Sequence, residues 1–326
     1  MIRVAITGIG VEAPLLPGVT RIGQLLDGAP SYGWHFQPAD KLGKKGLRYK
    51  EPATLLGLCA ARAALIDSGW LPEGVGAADT RINNDAFGVA IASNTGNLDT
   101  VCAVADTIRA QHVNATSPMD LPNASSNVIA STIAIRFGLR AMNLMLTSGA
   151  NASGDALVLA YSAIRAGRVA AMLVGAVEVD SLALRSLQAG ARLPADVDSS
   201  DAEAAGQGSV VPAATTVILE SEAAAIARGA RIYGYLDDYA FGGADERAQL
   251  RFAAFVEGAP QALRCASDTG AVDLTERIGQ LYGGLAAAQL VYACEEFAAG
   301  RASAAMLVSG VALGDRRATG LSVARA

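Results

Sequence analysis

The pentapeptide Ala-Ala-Met-Leu-Val occurs twice, at Ala170–Val174 and at Ala304–Val308. Each copy follows a helix-length stretch of small residues and a glycine step, Ala166-Gly167-Arg168 in one place and Ala299-Gly300-Arg301 in the other. A glycine after a helical run is a stop signal, and a short apolar run bounded by polar residues reads as a strand. Chance likeness of alanine-rich segments would account for the composition. Duplication of a helix–strand unit accounts for the order as well. Both helices carry almost no charge over several turns, so two stacked halves would have to bury them between sheets.

The rest of the chain fits this scheme. Arg3–Thr7, Phe87–Ala92, Asn143–Thr147, Ala170–Val177 and Thr215–Leu219 are short apolar segments with strand character. Between them, Pro52–Ser68 places Leu55, Leu58, Ala61, Leu65 and Ile66 at helical spacing, with Glu51-Pro52 as its entry and Gly69 as its stop. Asn151–Ala166 reads as a second helix ending at Gly167, and the acidic, aperiodic stretch Leu193–Gly208 reads as a surface loop. The fold class is therefore α/β.

Aromatic residues make up only 5% of the chain, and small residues of this kind suit helices packed closely on a buried sheet. No run of eighteen apolar residues occurs, and Met1–Gly10 reads as a strand rather than a signal peptide, so no membrane partner and a cytoplasmic location are expected. A net charge of −5 argues against nucleic acid as the main partner. Every lysine, Lys41, Lys44, Lys45 and Lys50, falls within ten residues and is joined by Arg48. This patch is either a solvated loop or a docking surface for an acidic carrier protein. The four cysteines, Cys59, Cys102, Cys265 and Cys294, share no metal-ligand spacing, and the only histidines are His35 and His112. No metal and no cofactor are expected, since no phosphate-binding glycine loop or Ser-His-Asp set emerges.

Four segments, in order, carry a family resemblance: VAITGIGVEAP (Val4–Pro14), KEPATLLGLCAARAALIDSGW (Lys50–Trp70), LPNASSNVIASTIAIRFGLRAMN (Leu121–Asn143) and GARIYGYLDDYAFG (Gly229–Gly242). Together they resemble the β-ketoacyl synthases of the thiolase superfamily. The resemblance implies a thiolase-like five-layer αβαβα sandwich made of two similar halves. These would be residues 1–228, carrying the dimer interface, and a shortened half at 229–326. The stretch Ala244–Asp273 is compressed where that family has more chain.

The same resemblance locates the catalytic groups, and they are missing. An acylated cysteine belongs at a helix N-terminus, where the helix dipole favours its thiolate, and two histidines assist decarboxylation of the incoming unit. Counting back seventeen residues from Gly167 puts Ala150 at the nucleophile position. The region of the first histidine reads LRCASDTGAVD, Leu263–Asp273, and Gln280 stands at the second. Thr275 takes the place of a supporting lysine, and the glycine-rich turn near the C-terminus survives only as VSGVALGD, Val308–Asp315. Cys102 and His112 lie ten residues apart, about 15 Å along a helix, too far to act together. Cys265 lacks a base, and Asp268 with Asp273 reads as an exposed loop pair.

Inactive copies in this family are chain-length factors, which pair with an active ketosynthase subunit in type II polyketide synthases and shape the acyl tunnel. The resemblance implies such a heterodimer, with an acyl carrier protein as further partner. Leu121, Asn123 and the edge strand Asn143, Leu144, Met145, Leu146 and Thr147 would form tunnel and interface. A smaller relative, such as the non-catalytic partner in quinolone-type synthases, fits the short chain too. Two other readings remain: a cysteine-independent acyl-thioester decarboxylase or acyltransferase using Gln280, Asn151, Ser148 and Ser153, and a homodimeric acyl-binding protein.

Overall fold

The computed structural model of the chain describes residues 2–14, 20–27, 36–74, 81–184, 210–243, 246–258, 262–266, 271–310 and 317–326. The strands are β1 (Val4–Glu12), β2 (Phe87–Ala92), β3 (Asn143–Leu146), β4 (Ala171–Glu178), β5 (Ala213–Ser221), β6 (Gly234–Gly242), β7 (Leu263–Cys265), β8 (Ala304–Ser309) and β9 (Ala318–Arg325). The helices are α1 (Ile22–Asp27), α2 (Pro38–Leu42), α3 (Pro52–Asp67), α4 (Leu98–Gln111), α5 (Val128–Phe137), α6 (Ala152–Arg165), α7 (Glu222–Ala227), α8 (Glu246–Glu257), α9 (Leu274–Ile278) and α10 (Leu285–Ala298). The loop expected at Leu193–Gly208, together with His35, Asp268 and the sequence beyond Gly310 in VSGVALGD, lies outside the described residues.

The strands run in the order β3-β2-β4-β5-β1-β6-β9-β8-β7. At its middle this ladder narrows to the pairs Val4↔Leu236, Ala5↔Tyr235 and Ile6↔Gly234, so it behaves as two sheets joined at a seam. Helices α3 and α5 cover the outer face of the first sheet, and α8 covers β6 and β9 of the second. Helices α6 and α10 pack on each other and on strands of both sheets, which makes five layers, αβαβα. Burial explains their composition. Ala156, Leu157, Ala160 and Ile164 of α6 and Ala287, Leu290, Val291 and Ala293 of α10 are all sealed from solvent, and only small or apolar side chains fit between two sheets at native density.

Read outward from the seam, β1-β5-β4-β2 of the first half matches β6-β9-β8-β7 of the second. The two AAMLV copies contribute to β4 and β8, as a duplicated unit requires. The match ends at the edge. The first half goes on to β3, whereas no strand flanks β7 on its outer side among the described residues. After β7 the chain instead forms the short helix α9, because the Asp273 carboxylate accepts from Thr275 N at 2.8 Å and Glu276 N at 3.1 Å. Asp273 is thus a helix cap rather than a loop residue, and Thr275 sits in the first turn of a helix.

Candidate functional site

Between β3 and α6 the chain makes a tight turn, Gly149–Asn151, that delivers it to the buried N-terminus of α6. Ser148 Oγ donates to Asp155 Oδ2 at 2.6 Å across the first turn of the helix. Ala150 is half-buried, with a methyl that offers no chemistry. Its neighbour Asn151 is only 1% exposed and reaches into the second half. Asn151 Nδ2 donates to Arg317 O at 3.1 Å, and Oδ1 accepts from Thr319 Oγ1 at 3.2 Å. Gly310, at φ 91, packs so tightly here that a Cβ on it would fall 1.8 Å from Asn151 Oδ1. Counting along the sequence singled out Ala150; the side chain that fills the space between the halves belongs to Asn151.

A second turn, Tyr282–Gly284, faces the first and leads into α10. It follows Gln280, which is half-buried and whose carbonyl accepts from Val211 N at 2.8 Å. The fold therefore brings the turn of Ala150 and the turn after Gln280 together. Tyr282 takes a left-handed φ of 46, a conformation most side chains avoid. A Cβ on Gly283 would lie 2.3 Å from Asn94 Nδ2, 2.8 Å from Gly149 O and 2.9 Å from Glu178 Oε1, so only glycine fits at this junction.

Sequence reasoning missed Asn94 and Glu178, which meet there. Glu178 ends β4 and is 2% exposed. It accepts from Asn94 N at 3.0 Å, Asn94 Nδ2 at 2.8 Å and Thr95 Oγ1 at 3.0 Å. Burial nevertheless outweighs these donors and pushes its carboxyl up to about 7. An acid closing an otherwise apolar strand, in the stretch AMLVGAVE, was the available signal.

The expected tunnel and interface residues separate into two places. Asn123 lines a cavity of 820 Å³ at the ends of β2 and β4, and its Nδ2 donates to Tyr49 O. Leu121 beside it is 41% exposed. This cavity is not an apolar tube, since Glu51, Asp99, Asp120, Asp180 and Lys50 share its walls. Desolvation, then the charge of Asp99, pushes the Glu51 carboxyl up to about 7. Met145, Leu146 and Thr147 instead border a groove of 570 Å³ with Leu159, Tyr239 and Phe241. Asn143 and Leu144 pair with Val89 and Ala90 of β2, leaving β3 as the sheet edge among the described residues.

Of the basic patch, Lys50 faces the larger cavity and Lys41 Nζ pairs with Glu12. Lys44, Lys45 and Arg48 lie at the surface, Arg48 over the Tyr49 ring at 4.5 Å. Among the cysteines, burial pushes Cys59 and Cys265 up to about 12 and Cys294 upward as well, so none of these three is a ready thiolate. Cys102 is exposed on α4. Of the alternative thioester-binding set, Ser148 and Asn151 are committed to the bonds above, and Ser153 Oγ accepts from Ala287 N at 3.3 Å. No group of three or more His, Cys, Asp or Glu side chains is placed to hold a metal ion among the described residues.

The sequence matches the family described as "Beta-ketoacyl synthase, N-terminal domain" over residues 34–225, more than half of the chain. The chain belongs to the β-ketoacyl synthase family. Two curated β-ketoacyl synthases are similar to it, both called 3-oxoacyl-[acyl-carrier-protein] synthase 2. The one from Rhizobium meliloti is 29% identical over 227 residues, and the one from Vibrio harveyi is 27% identical over 216. Each match takes in 64% of this chain and 50% of the relative, so the chain spans about half the length of the curated synthases it matches. Among solved structures, a β-ketoacyl synthase from Burkholderia phymatum superposes with a TM-score of 0.74 at 17% identity over 100% of both chains. A type II polyketide synthase acyl-carrier protein in complex with its ketosynthase bound to the hexaketide gives 0.72 at 19%, over 100% of both chains. The ishigamide ketosynthase/chain length factor gives 0.72 at 16%, over 100% of this chain and 99% of that one. At these identities the likeness establishes the thiolase-like ketosynthase fold. No helix among the described residues is long and apolar enough to cross a membrane.

Proposed function

We propose that this chain is a non-catalytic ketosynthase-like subunit, a chain-length factor. It pairs with an active β-ketoacyl synthase in type II polyketide or fatty-acid-like biosynthesis and shapes the space that holds the acyl chain. One observation carries the reading. The turn Gly149–Asn151, where the resemblance puts the acyl-accepting residue, has no thiol at either candidate position, and the Asn151 amide is spent on Arg317 and Thr319. Gln280 stands in the sequence where the resemblance expects an imidazole, so on this reading neither half of the ketosynthase reaction has its reagent.

Other features support the partnership. β3 has an unpaired edge among the described residues, beside a groove where Leu159 and Phe241 are 44% and 43% exposed, which suits an incoming strand with large apolar side chains. The surface position of Lys44, Lys45 and Arg48 suits an acidic carrier protein. A ketosynthase/chain length factor and a carrier-protein complex stand among the structural neighbours.

The test is incubation of the isolated chain with an acyl-primed carrier protein, read by intact mass, alongside co-expression with an active ketosynthase. The expected result is no covalent adduct, no product from the chain alone, and a stoichiometric complex with the ketosynthase. Product without the partner would favour the cysteine-independent decarboxylase or acyltransferase. A stable dimer of the chain with itself, indifferent to the ketosynthase, would favour an acyl-binding protein.

A further inference from the structure

The geometry points to Asn94 as the positioning residue for the turn that carries Ala150 and Asn151, with the buried Glu178 carboxylate setting its orientation. Naming that turn the acyl-accepting place rests on the function proposed above; the positioning itself does not.

Gly149 has a left-handed φ of 68, and a Cβ built on it would meet nothing within 4 Å. Packing therefore does not hold the turn on the Cβ side of this residue, where hydrogen bonds supply the restraint. Asn94 supplies a matched pair of them. Gly149 N donates to Asn94 Oδ1 at 2.9 Å, and Asn94 Nδ2 donates to Gly149 O at 3.1 Å. One side-chain amide thus binds both polar groups of one backbone residue, as a neighbouring strand would.

An amide could be turned either way round, and Glu178 removes the choice. An ionised carboxylate only accepts, so the NH₂ end of Asn94 must face Glu178 Oε1, at 2.8 Å, and the oxygen end must face Gly149 N–H. The Asn94 backbone N–H donates to the same carboxylate at 3.0 Å, which fixes the side chain from its root. Thr95 Oγ1 lies 3.0 Å from Glu178 Oε2 and 3.2 Å from Val179 O. Its single hydrogen can serve either acceptor, so a proton on Glu178 can be donated to Thr95 without disturbing Asn94. Gly283 leaves space for Asn94 Nδ2 from the opposite side, which puts the amide at the junction of both turns. Among the described residues, Asp155, which accepts from Ser148 Oγ and faces Arg317, and Tyr282 are further titratable side chains near the turn. Burial, then the charge of Glu178, raises the Tyr282 phenol, so it keeps its proton across the neutral range.

Hydrogen exchange at the Gly149 amide in the full chain, corrected for intrinsic rate, tests this. Asn94→Ala removes the acceptor, and exchange should quicken at least about tenfold at both pH ~5.5 and ~8.5, with β4 amides unchanged. Asn94→Asp keeps an oxygen for Gly149 N–H but sets two carboxylates face to face. Its Gly149 amide should be protected at pH ~5.5, where the pair shares a proton, and exchange about tenfold faster at ~8.5. Two outcomes overturn the proposal: Asn94→Ala within about twofold of the parent, or Asn94→Asp without pH dependence. Neither depends on whether the chain pairs with a ketosynthase, so loss of this inference and loss of the proposed function would be seen separately.

Discussion

The N-termini of the two central helices occupy matching places in the two halves, yet their surroundings differ. At the start of α6, Ser148, Asn151, Ser153 and Asn94 each have a hydrogen-bond partner. Around α10, Gln289 Nε2 donates to Cys265 O at 3.1 Å and Val308 O at 2.9 Å, but among the described residues its Oε1 has no partner, and neither does Ser309 Oγ. Both side chains are almost fully buried. The turn at the start of α6 is a satisfied polar network, although Thr54 Oγ1 and Asn127 Oδ1 elsewhere in the first half have no partner among the described residues. Near α10, where no counterpart of β3 flanks β7 among the described residues, Gln289 Oε1 and Ser309 Oγ lack partners among those residues. An unpaired buried polar atom costs about 1–3 kcal/mol, so the polar groups at the start of α6 are held more firmly than those around α10.

The largest effect should come from the glycine that joins the two regions. Gly310→Ala would drive a Cβ into Asn151 and force a φ of 91 on alanine. We expect a loss of about 3 kcal/mol, or a fall of roughly 4 °C in the thermal midpoint. Gly149→Ala faces open space and carries only the backbone penalty of φ 68, about 1 kcal/mol. Thermal denaturation of both variants checks the ratio. Equal losses would mean that Asn151 moves aside easily and does not lock the halves.

Stability should also depend on pH through Glu178, the buried acid at the junction of the two turns, which has no counterpart in the bonds of Gln289. Glu178 titrates near its usual 4.5 in the unfolded chain and near about 7 when folded. The folded state therefore holds the extra proton between those values. Its contribution to stability is fully present below 4.5 and is lost as pH rises through about 7. The size is roughly 3 kcal/mol, again near 4 °C. Glu51 shifts the same way and adds to the trend, discounted because it is half open to solvent. Melting curves from acid to mild alkali should fall across this window in the parent and flatten in Glu178→Gln. A variant that keeps the full slope would show that another group titrates.

Much of the architecture could be read from residues. Pro52 and Gly69 bracket α3 as expected, Asn151 and Ala166 flank α6, and the AAMLV copies mark β4 and β8. These are local signals: a fixed φ, a stop glycine, a periodicity. The failures share a different cause. Whether Ala150 or Asn151 faces the second half depends on the rotation of a single tight turn, which spacing does not specify. Asn94 sits in the stretch SNTGNLDT, and its partner Gly149 is 55 residues away, so nothing local reveals the pair. Helix α9 is the intermediate case. Asp273-Leu274-Thr275-Glu276 carries an N-terminal helix signature that the expected family pattern hid.

The smallest effects bear most directly on the contrast between satisfied and unsatisfied groups, because they compare two facing residues of one strand pair, Ser309↔Thr319. Thr319→Val keeps the shape but takes the donor from Asn151 Oδ1, whose side chain is buried. That should cost about 1–2 kcal/mol. Ser309→Ala removes a buried hydroxyl that has no partner among the described residues, so it should cost nothing and gain up to about 1 kcal/mol. Chemical denaturation resolves the two signs if both variants keep the parent slope with denaturant. Opposite signs across one ladder rung would establish that the polar network stops at Thr319. If Ser309→Ala loses as much as Thr319→Val, Ser309 is bonded in solution and the second half is as well satisfied as the first.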